Sequence, residues 1–545
     1  MKKHLLILIL LLFQSSFSKS ITETQKLAAT CKVWGFLKYY HPNVADGNFN
    51  WDEQLFKILP KIEEAKTDVE FSNVLEKWIN SLGKVKPYKA EISNDEIDYF
   101  DKNFDLSWTQ NSELFSKSLS QKLKFIEQNK IQEKQYYVER GTEFVNEVEY
   151  DLFDDKDKNF RLLALFRFWN YVEYFFPYKY QMDQNWDLTL IEFLPRTINP
   201  ISENDYFLSL KEISAKLNDT HAYFGANKLF EIYGWNSVPF EFKFIENKAI
   251  VTGFKNESLS ALNDIKVGDV ITKVQGKTID ILIKENLKYA EGANYPAQLT
   301  RLEWPVFSQK SNVAEIEFLR DGKIGVKEIN FYDYKDLKIN YENKSEKYNF
   351  LEDNIGYANL AVLTPDEVPA MMEKFKNAKA IIFDIRNYSQ GTNFAIAEYL
   401  NPEPRNFVKS MDADLSSPGR YIWRKEDTPC GKMNPDYYKG NVILLVNEKS
   451  ISHSEFTAMT LKVAPKATVI GSQTAGSDGR SYRFQIIKGL WTSFTTYGVF
   501  YPDKTEVQRI GIVPDIEVKP TILGIQQGRD EVLERAILFA KNGKK

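Results

Sequence analysis

Asn441-Val-Ile-Leu-Leu-Val-Asn-Glu-Lys-Ser-Ile-Ser-His-Ser-Glu-Phe456 passes from an aliphatic run through a polar turn into a helical pattern. The run Val442–Val446 has the length and branching of a buried strand. Phe456, Met459 and Val463 recur at helical spacing, which predicts a helix over Ser454–Val463. The alternation continues outward, with a strand Ala380-Ile-Ile-Phe-Asp384, a helix around Phe394–Leu400 and a strand Ala467–Gly471. Short aliphatic strands separated by helices predict a mostly parallel, layered α/β domain with its chemistry at strand ends.

The turn places Ser452 at a helix N-terminus, where free backbone N–H groups and the helix dipole favour a developing oxyanion. Ser452-x-x-Glu455 equally fits a capping box, which needs no catalysis, and the local pattern leaves both readings open. A nucleophilic serine needs a base, and the chain has four histidines. His4 lies in the N-terminal leader, and His453, adjacent to Ser452 on the helix, points away from it. His41 has the aromatic Phe176 as its counterpart in an internal repeat and is expected at the surface. Elimination leaves His221 of Asp219-Thr-His221. With only Cys31 and Cys430 beside these histidines, a nitrogen/sulfur metal site lacks ligands, and neither a metal nor a cofactor is expected.

The repeat appears at an offset of 135 residues: Trp34, Tyr39, Pro42, Asn50, Trp51, Asp52, Leu55, Leu59 and Pro60 recur as Trp169, Tyr174, Pro177, Asn185, Trp186, Asp187, Leu190, Leu194 and Pro195. Each copy reads as a helix ending near the first proline, a polar turn, a helix from Trp-Asp to a Leu-Pro stop, and a further helix. Only the second copy continues into Asp219-Thr-His221; the first has Lys86 at the corresponding place.

The 545 residues allow three or four domains at ~150 residues each. At 43% hydrophobic and 27% charged residues the composition is globular, and Lys+Arg 71 against Asp+Glu 75, with no long basic run, argues against nucleic acid as a partner. Residues 1–20, a basic start, the apolar run Leu5–Phe13 and small residues near Ser18 or Ser20, read as a secretory signal peptide rather than a membrane span. The mature chain is expected to be exported, periplasmic or extracellular, where a Cys31–Cys430 bridge is permitted but not demanded.

Ile265-Lys-Val-Gly-Asp-Val-Ile-Thr-Lys-Val-Gln-Gly-Lys-Thr-Ile279 gives a turn, a strand over Val270–Val274 and a second turn at Gly276. This run resembles the signature of PDZ domains, which take peptides as an added strand; Ser237-Val-Pro-Phe240 stands where such domains carry a glycine-containing carboxylate loop. The expected order is 21–90 first helical copy, 91–157 charged connector with a short hairpin, 158–233 second copy, 234–335 PDZ-like domain, 345–525 catalytic domain and 526–545 C-terminal helix.

Asp219-Thr-His221, the PDZ-like run, Asp384-Ile-Arg-Asn-Tyr-Ser-Gln-Gly391, Ser452-His-Ser-Glu455, Gly471-Ser-Gln-Thr-Ala-Gly476 and Gly511-Ile-Val-Pro-Asp515 occur in the order seen in C-terminal processing (tail-specific) serine peptidases. From Leu162 to Val518 the chain resembles that family. Where the tail-specific branch has a lysine base this chain has Ser477, so the similarity is to the tricorn-like and retinoid-binding-protein-like branch. The resemblance implies a crotonase-like (ClpP-like) α/β catalytic domain within a multidomain α+β and α/β chain. It implies Ser452 as nucleophile, His221 as base, Thr220 as a hydroxyl link and Glu506 as support, with an oxyanion hole from the N–H groups of Gly391 and His453. Arg386 and Asp384 are read as fixing the Gly391 loop. The activity implied is hydrolysis of peptide bonds through an acyl-enzyme. The competing class is a non-catalytic pseudopeptidase that binds peptides or lipidic ligands, which the reduction of the family's Asn-x-Gly-Gly to Tyr388-Ser-Gln-Gly391 favours and the intact Ser452, His221 and Glu506 oppose.

Overall fold

The computed structural model describes residues 20–88, 97–131, 135–151, 153–337 and 346–543. The signal peptide read at 1–20 lies outside them except for Ser20. The chain forms two compact units: residues 20–88 with 105–131, and the remainder.

In the first unit, helices Glu23–Tyr40, Trp51–Glu64 and Asp68–Ser81 start at side-chain caps from Thr22, Asn50 and Thr67, each accepting a hydrogen bond from a backbone N–H of the first turn. Trp34 and Trp51 lock the first two helices together: each indole N–H donates to the other's carbonyl, at 3.3 and 3.1 Å. The second copy, in the other unit, repeats this on helices Lys158–Phe175 and Trp186–Ile198, where Trp169 and Trp186 exchange the same two bonds at 3.0 Å. The duplication is thus one packing device used twice. Pro60 and Pro195 do not stop their helices, which run on to Glu64 and Ile198. So near the C-terminal end a proline removes one ladder bond and the last turn survives.

His41 is not at the surface. It is fully buried, and neither ring nitrogen has a hydrogen-bond partner among the described residues. Burial pushes its pKa down to about 4. The buried counterpart Phe176 marks this as a core position in both copies. Of the charged stretch, residues 105–131 belong to the first unit: helix Lys117–Gln128 is held by Ser116 and Ser118 hydroxyls donating to Glu76 at 2.8 Å. The hairpin Val138–Glu139/Glu143–Phe144 belongs to the second. Cys31 and Cys430 are both buried, and neither is in a disulfide.

Two sheets position the site in the second unit. One is antiparallel, in the spatial order Lys323–Asn330, Val313–Arg320, Val270–Val274, Lys248–Phe254, Phe240–Ile245, with Phe240–Ile245 on an outer edge. The other orders Tyr348–Leu351, Ile355–Asn359, Ala380–Asp384, Asn441–Val446, Ala467–Gly471 and Ile516–Glu517, parallel throughout except for the first pair. Helices Val368–Phe375, Asn393–Leu400 and His453–Lys462 cover one face of this second sheet, and Glu531–Asn542 covers the other.

Candidate active site

Strand Asn441–Val446 ends in a turn tied down by Ser450, whose hydroxyl donates to Ile385 O at 2.8 Å and accepts from Asn447 N at 3.1 Å. The turn delivers Ser452 to the N-cap of helix His453–Lys462 at φ 56°, ψ −121°, outside the favoured basins of a residue with a Cβ. Such a conformation costs about 1–3 kcal/mol and persists only where the surroundings impose it. The Ser452 side chain makes no cap hydrogen bond, so the capping-box reading fails. Glu455 has other partners: its buried carboxylate takes the Thr474 hydroxyl and the amides of Gly476 and Ser477 at 2.8 and 2.9 Å. Burial pushes its pKa up to about 7. Ser452 is half-buried, whereas Ser454 is fully buried: it donates to Asn387 O at 3.0 Å and accepts from Ser389 N at 3.1 Å.

Asp219-Thr-His221 follows helix Glu203–Ala215 and leads into strand Tyr223–Gly225, which pairs with Leu490–Ser493. That pairing brings His221 to Thr495. The ring Nδ1 lies 2.9 Å from Thr495 Oγ1, and the same hydroxyl donates at 2.9 Å to Asp219 Oδ1. Since the hydroxyl proton goes to the carboxylate, its oxygen accepts from Nδ1–H, and Nε2 carries the lone pair. Desolvation lowers the His221 pKa, Asp219 opposes the shift and Arg301 adds to it. Asp219 is fully buried and also accepts from Ser477 Oγ at 2.8 Å and Thr495 N at 2.7 Å.

Ser477, at the position of the lysine in the tail-specific branch, joins the two halves. Its carbonyl accepts from Ser452 N at 3.0 Å, and its hydroxyl accepts from Thr220 N at 2.8 Å while donating to Asp219. The Thr220 hydroxyl donates to Ala475 O at 2.7 Å and accepts from Ala293 N at 2.9 Å. Thr220 therefore fixes the loop, and the hydroxyl touching the imidazole belongs to Thr495. Glu506 is also elsewhere: its carboxylate accepts from Tyr180 OH at 2.9 Å and pairs with Lys102 at 3.0 Å, and it makes no hydrogen bond to His221 among the described residues. Asp219 acting through Thr495 occupies the supporting place assigned to Glu506.

Gly391, at φ 75°, uses a left-handed conformation that glycine adopts without strain, and its loop lies against the His453 ring. Ser389 ties this loop to Ser454, and Asp384 anchors its base, gripping Arg386 at 3.0 and 2.6 Å. The N–H groups of Gly391 and His453 make no hydrogen bond among the described residues, which leaves them open to an oxyanion.

A serine on a strained strand-to-helix turn, a histidine held in one tautomer by a threonine hydroxyl that a buried carboxylate orients, and two free amides are the elements of the class of site found in serine hydrolases. The family model described as Peptidase family S41 matches residues 354–518. The "Probable CtpA-like serine protease" of Staphylococcus aureus (strain COL) is 25% identical over 268 residues, 47% of each chain; the chain spans about half the length of the curated relatives it matches. Among solved structures, mature CPAF covers 70% of this chain and 98% of its own at 14% identity with a TM-score of 0.52, and its lactacystin complex gives 0.51 at 14% identity, covering 70% and 99%. The fold is thus shared with CPAF.

Proposed function

We propose that the protein is an exported serine endopeptidase. Ser452 Oγ attacks the scissile carbonyl carbon while His221 Nε2 takes its proton. The oxyanion is held by the N–H groups of His453 and Gly391. His221 then protonates the leaving amine, and water releases the acyl group from Ser452 by the reverse proton path. The observation that carries this reading is the Thr495 hydroxyl between His221 and Asp219, which leaves Nε2 as a base. The uncapped, half-buried Ser452 supports it.

Peptide capture by strand addition is part of the proposal. Phe240–Ile245 is a sheet edge, and a groove of about 340 Å³ runs between it and helix Tyr295–Arg301, reaching Glu448 and Gln473 beside the nucleophile turn. Lys243 of that edge pairs with Glu448 at 2.8 Å. Export rests on the leader sequence; among the described residues no helix is long and apolar enough to cross a membrane. A fluorophosphonate probe tests the whole reading: the labelled residue is expected to be Ser452, and an unlabelled, folded protein would replace this function with the binding role.

A further inference from the structure

We infer that the first unit carries a docking groove for an acidic segment of another protein, one with apolar side chains between its acids. The groove is a cavity of about 750 Å³ between helices Trp51–Glu64 and Asp68–Ser81, lined wholly by residues of that unit.

The duplication supplies the comparison. At the offset of 135 residues, Lys61, Glu70 and Lys77 correspond to Arg196, Asp205 and Glu212 of the second copy. There Arg196 bridges the two helices, donating to Glu212 at 2.9 Å and to Asp205 at 3.1 Å with its guanidinium over the Phe193 ring. That side chain closes the cleft. In the first copy the place of Glu212 is taken by Lys77, so two like charges line the cleft and the bridge is lost. Glu192 is reversed in the same way, to Lys57. Glu70 does not replace the missing partner, because its carboxylate accepts from Lys66 N at 2.7 Å. Over the lining positions the first copy carries two net positive charges and the second copy one net negative charge.

The opened cleft has a floor as well as a charged rim. Ile58, Val74 and Trp78 form the apolar part; Trp78 stacks on Trp51 at 5.3 Å and is only 5% exposed. Its indole N–H has no acceptor among the described residues, a state that buried donors rarely keep. The second copy has Ile213 at this position and no such donor. Lys57, Lys61, Lys66 and Lys77 are all exposed on the rim. Lys57 pairs with the equally exposed Glu53 at 3.1 Å, a contact worth little, and the other three have no ion-pair partner among the described residues.

Charge complementarity fixes the occupant. Four ammonium groups on flexible stems, spread over two helices and their turn, suit carboxylates dispersed along a chain, and no arginine fork is present to grip a phosphate from two sides. The apolar floor takes side chains between the acids, which a polysaccharide does not have. Gln54 and Asn73, also lining the groove, supply amides that both donate to and accept from a peptide backbone. This binding is separate from the peptidase chemistry and does not rest on it.

The test uses the full chain carrying Ser452→Ala, so that no probe is cleaved and the readout is binding alone. The probe is a fluorescein-labelled peptide of about fourteen residues built from Glu and Leu, long enough as a helix to follow the ~21 Å flanking helices, with a Gln-for-Glu counterpart. Anisotropy is read at low and high salt. Lys77→Glu gives Lys61 the kind of partner that Arg196 has and should close the cleft, whereas Lys61→Gln with Lys77→Gln removes charge alone; circular dichroism checks that each variant folds. Saturable binding that falls about tenfold or more in both variants and for the Gln-for-Glu peptide, and weakens with salt, supports the inference. Absence of binding, or binding that the lysine substitutions leave unchanged, overturns it. Competition by heparin or by phosphatidylglycerol vesicles as effective as unlabelled peptide, and lost in Lys77→Glu, overturns the peptide in favour of a polyanion or a lipid surface.

Discussion

His221 and Thr495, 274 residues apart in sequence, are joined by a 2.9 Å hydrogen bond between ring Nδ1 and hydroxyl, and Thr495 passes its own proton to Asp219. The relay orients the imidazole through a neutral hydroxyl, with the charge one residue further back. Thr495→Val keeps the shape and removes the relay, so kcat is expected to fall ~10²- to 10⁴-fold with KM little changed, the scale of losing the correct histidine tautomer. Thr495→Ser restores most of the rate. Glu506→Gln, which touches only the Tyr180 and Lys102 contacts, should leave kcat within about threefold; steady-state kinetics on the four proteins decide between the two supports.

Ser452 and Ser454 are separated by the same logic. Ser452→Ala removes a hydroxyl that holds no structural bond, so fluorophosphonate labelling vanishes and stability stays within ~1 kcal/mol. Ser454→Ala strips partners from Ser389 N and Asn387 O in the interior and should cost about 1–3 kcal/mol while labelling persists. A labelled Ser452→Ala protein would place the nucleophile elsewhere.

Much of this fold is legible in the chain. Ala380–Asp384, Val270–Val274 and Ala467–Gly471 are strands with the very bounds their aliphatic runs suggest; in the parallel sheet this is because a strand buried on both faces carries its own signal. Helix Lys117–Gln128 was hidden by charge and amide, although its buried Leu119, Leu123 and Ile126 keep helical spacing. Thr495 had no local mark: it lies in an ordinary β-rich run and gains its role only when Leu490–Ser493 pairs with Tyr223–Gly225. The Glu506 role was implied by the family resemblance, which does not report where a side chain points.

The pH dependence has two parts with separate origins. His221 must be neutral to accept the Ser452 proton, and its folded-state pKa is lowered by desolvation. Activity should therefore rise with pH through a single group whose midpoint lies below the ordinary imidazole value of ~6.5. A pH–rate profile with its limb above that value would contradict the burial argument.

Stability should move the opposite way. Glu455 titrates near 4.5 when unfolded and about 7 when folded, so between these values the native state holds a proton that the unfolded chain has lost. Stability is therefore full below pH ~4.5 and declines as pH rises to 7, by on the order of 3 kcal/mol for that group. Asp478, buried with one carboxyl oxygen unpartnered and its pKa raised by the same desolvation, adds a decline of the same sign that begins near the ordinary aspartate value and runs through the same range. Chemical denaturation at pH 5 and 7 measures the slope; Glu455→Gln should shrink it without abolishing it.

The first unit is expected to supply no acid, base or nucleophile, since Asp219, His221, Ser452, Ser477 and Thr495 all lie in the second. Its removal must follow the structural division. Deleting 21–84 alone would strip helix Lys117–Gln128 of the Glu76 carboxylate that holds its start. A clean truncation removes 21–88 and replaces 105–131 with a linker, keeping Tyr99–Phe100, which pairs with Tyr421–Trp423. The two cut ends are close: a side chain at Gly419 would meet Phe104, and Gln135 donates to Leu415 O. Positions 415 and 419 are at most about 14 Å apart, so a flexible linker of roughly eight residues suffices. The expected result is a folded protein whose Ser452 reacts with a small fluorophosphonate within about threefold of the full chain, even if cleavage of protein substrates changes. Circular dichroism establishes folding independently; a folded truncation that no longer labels would show that the first copy of the repeat completes the site.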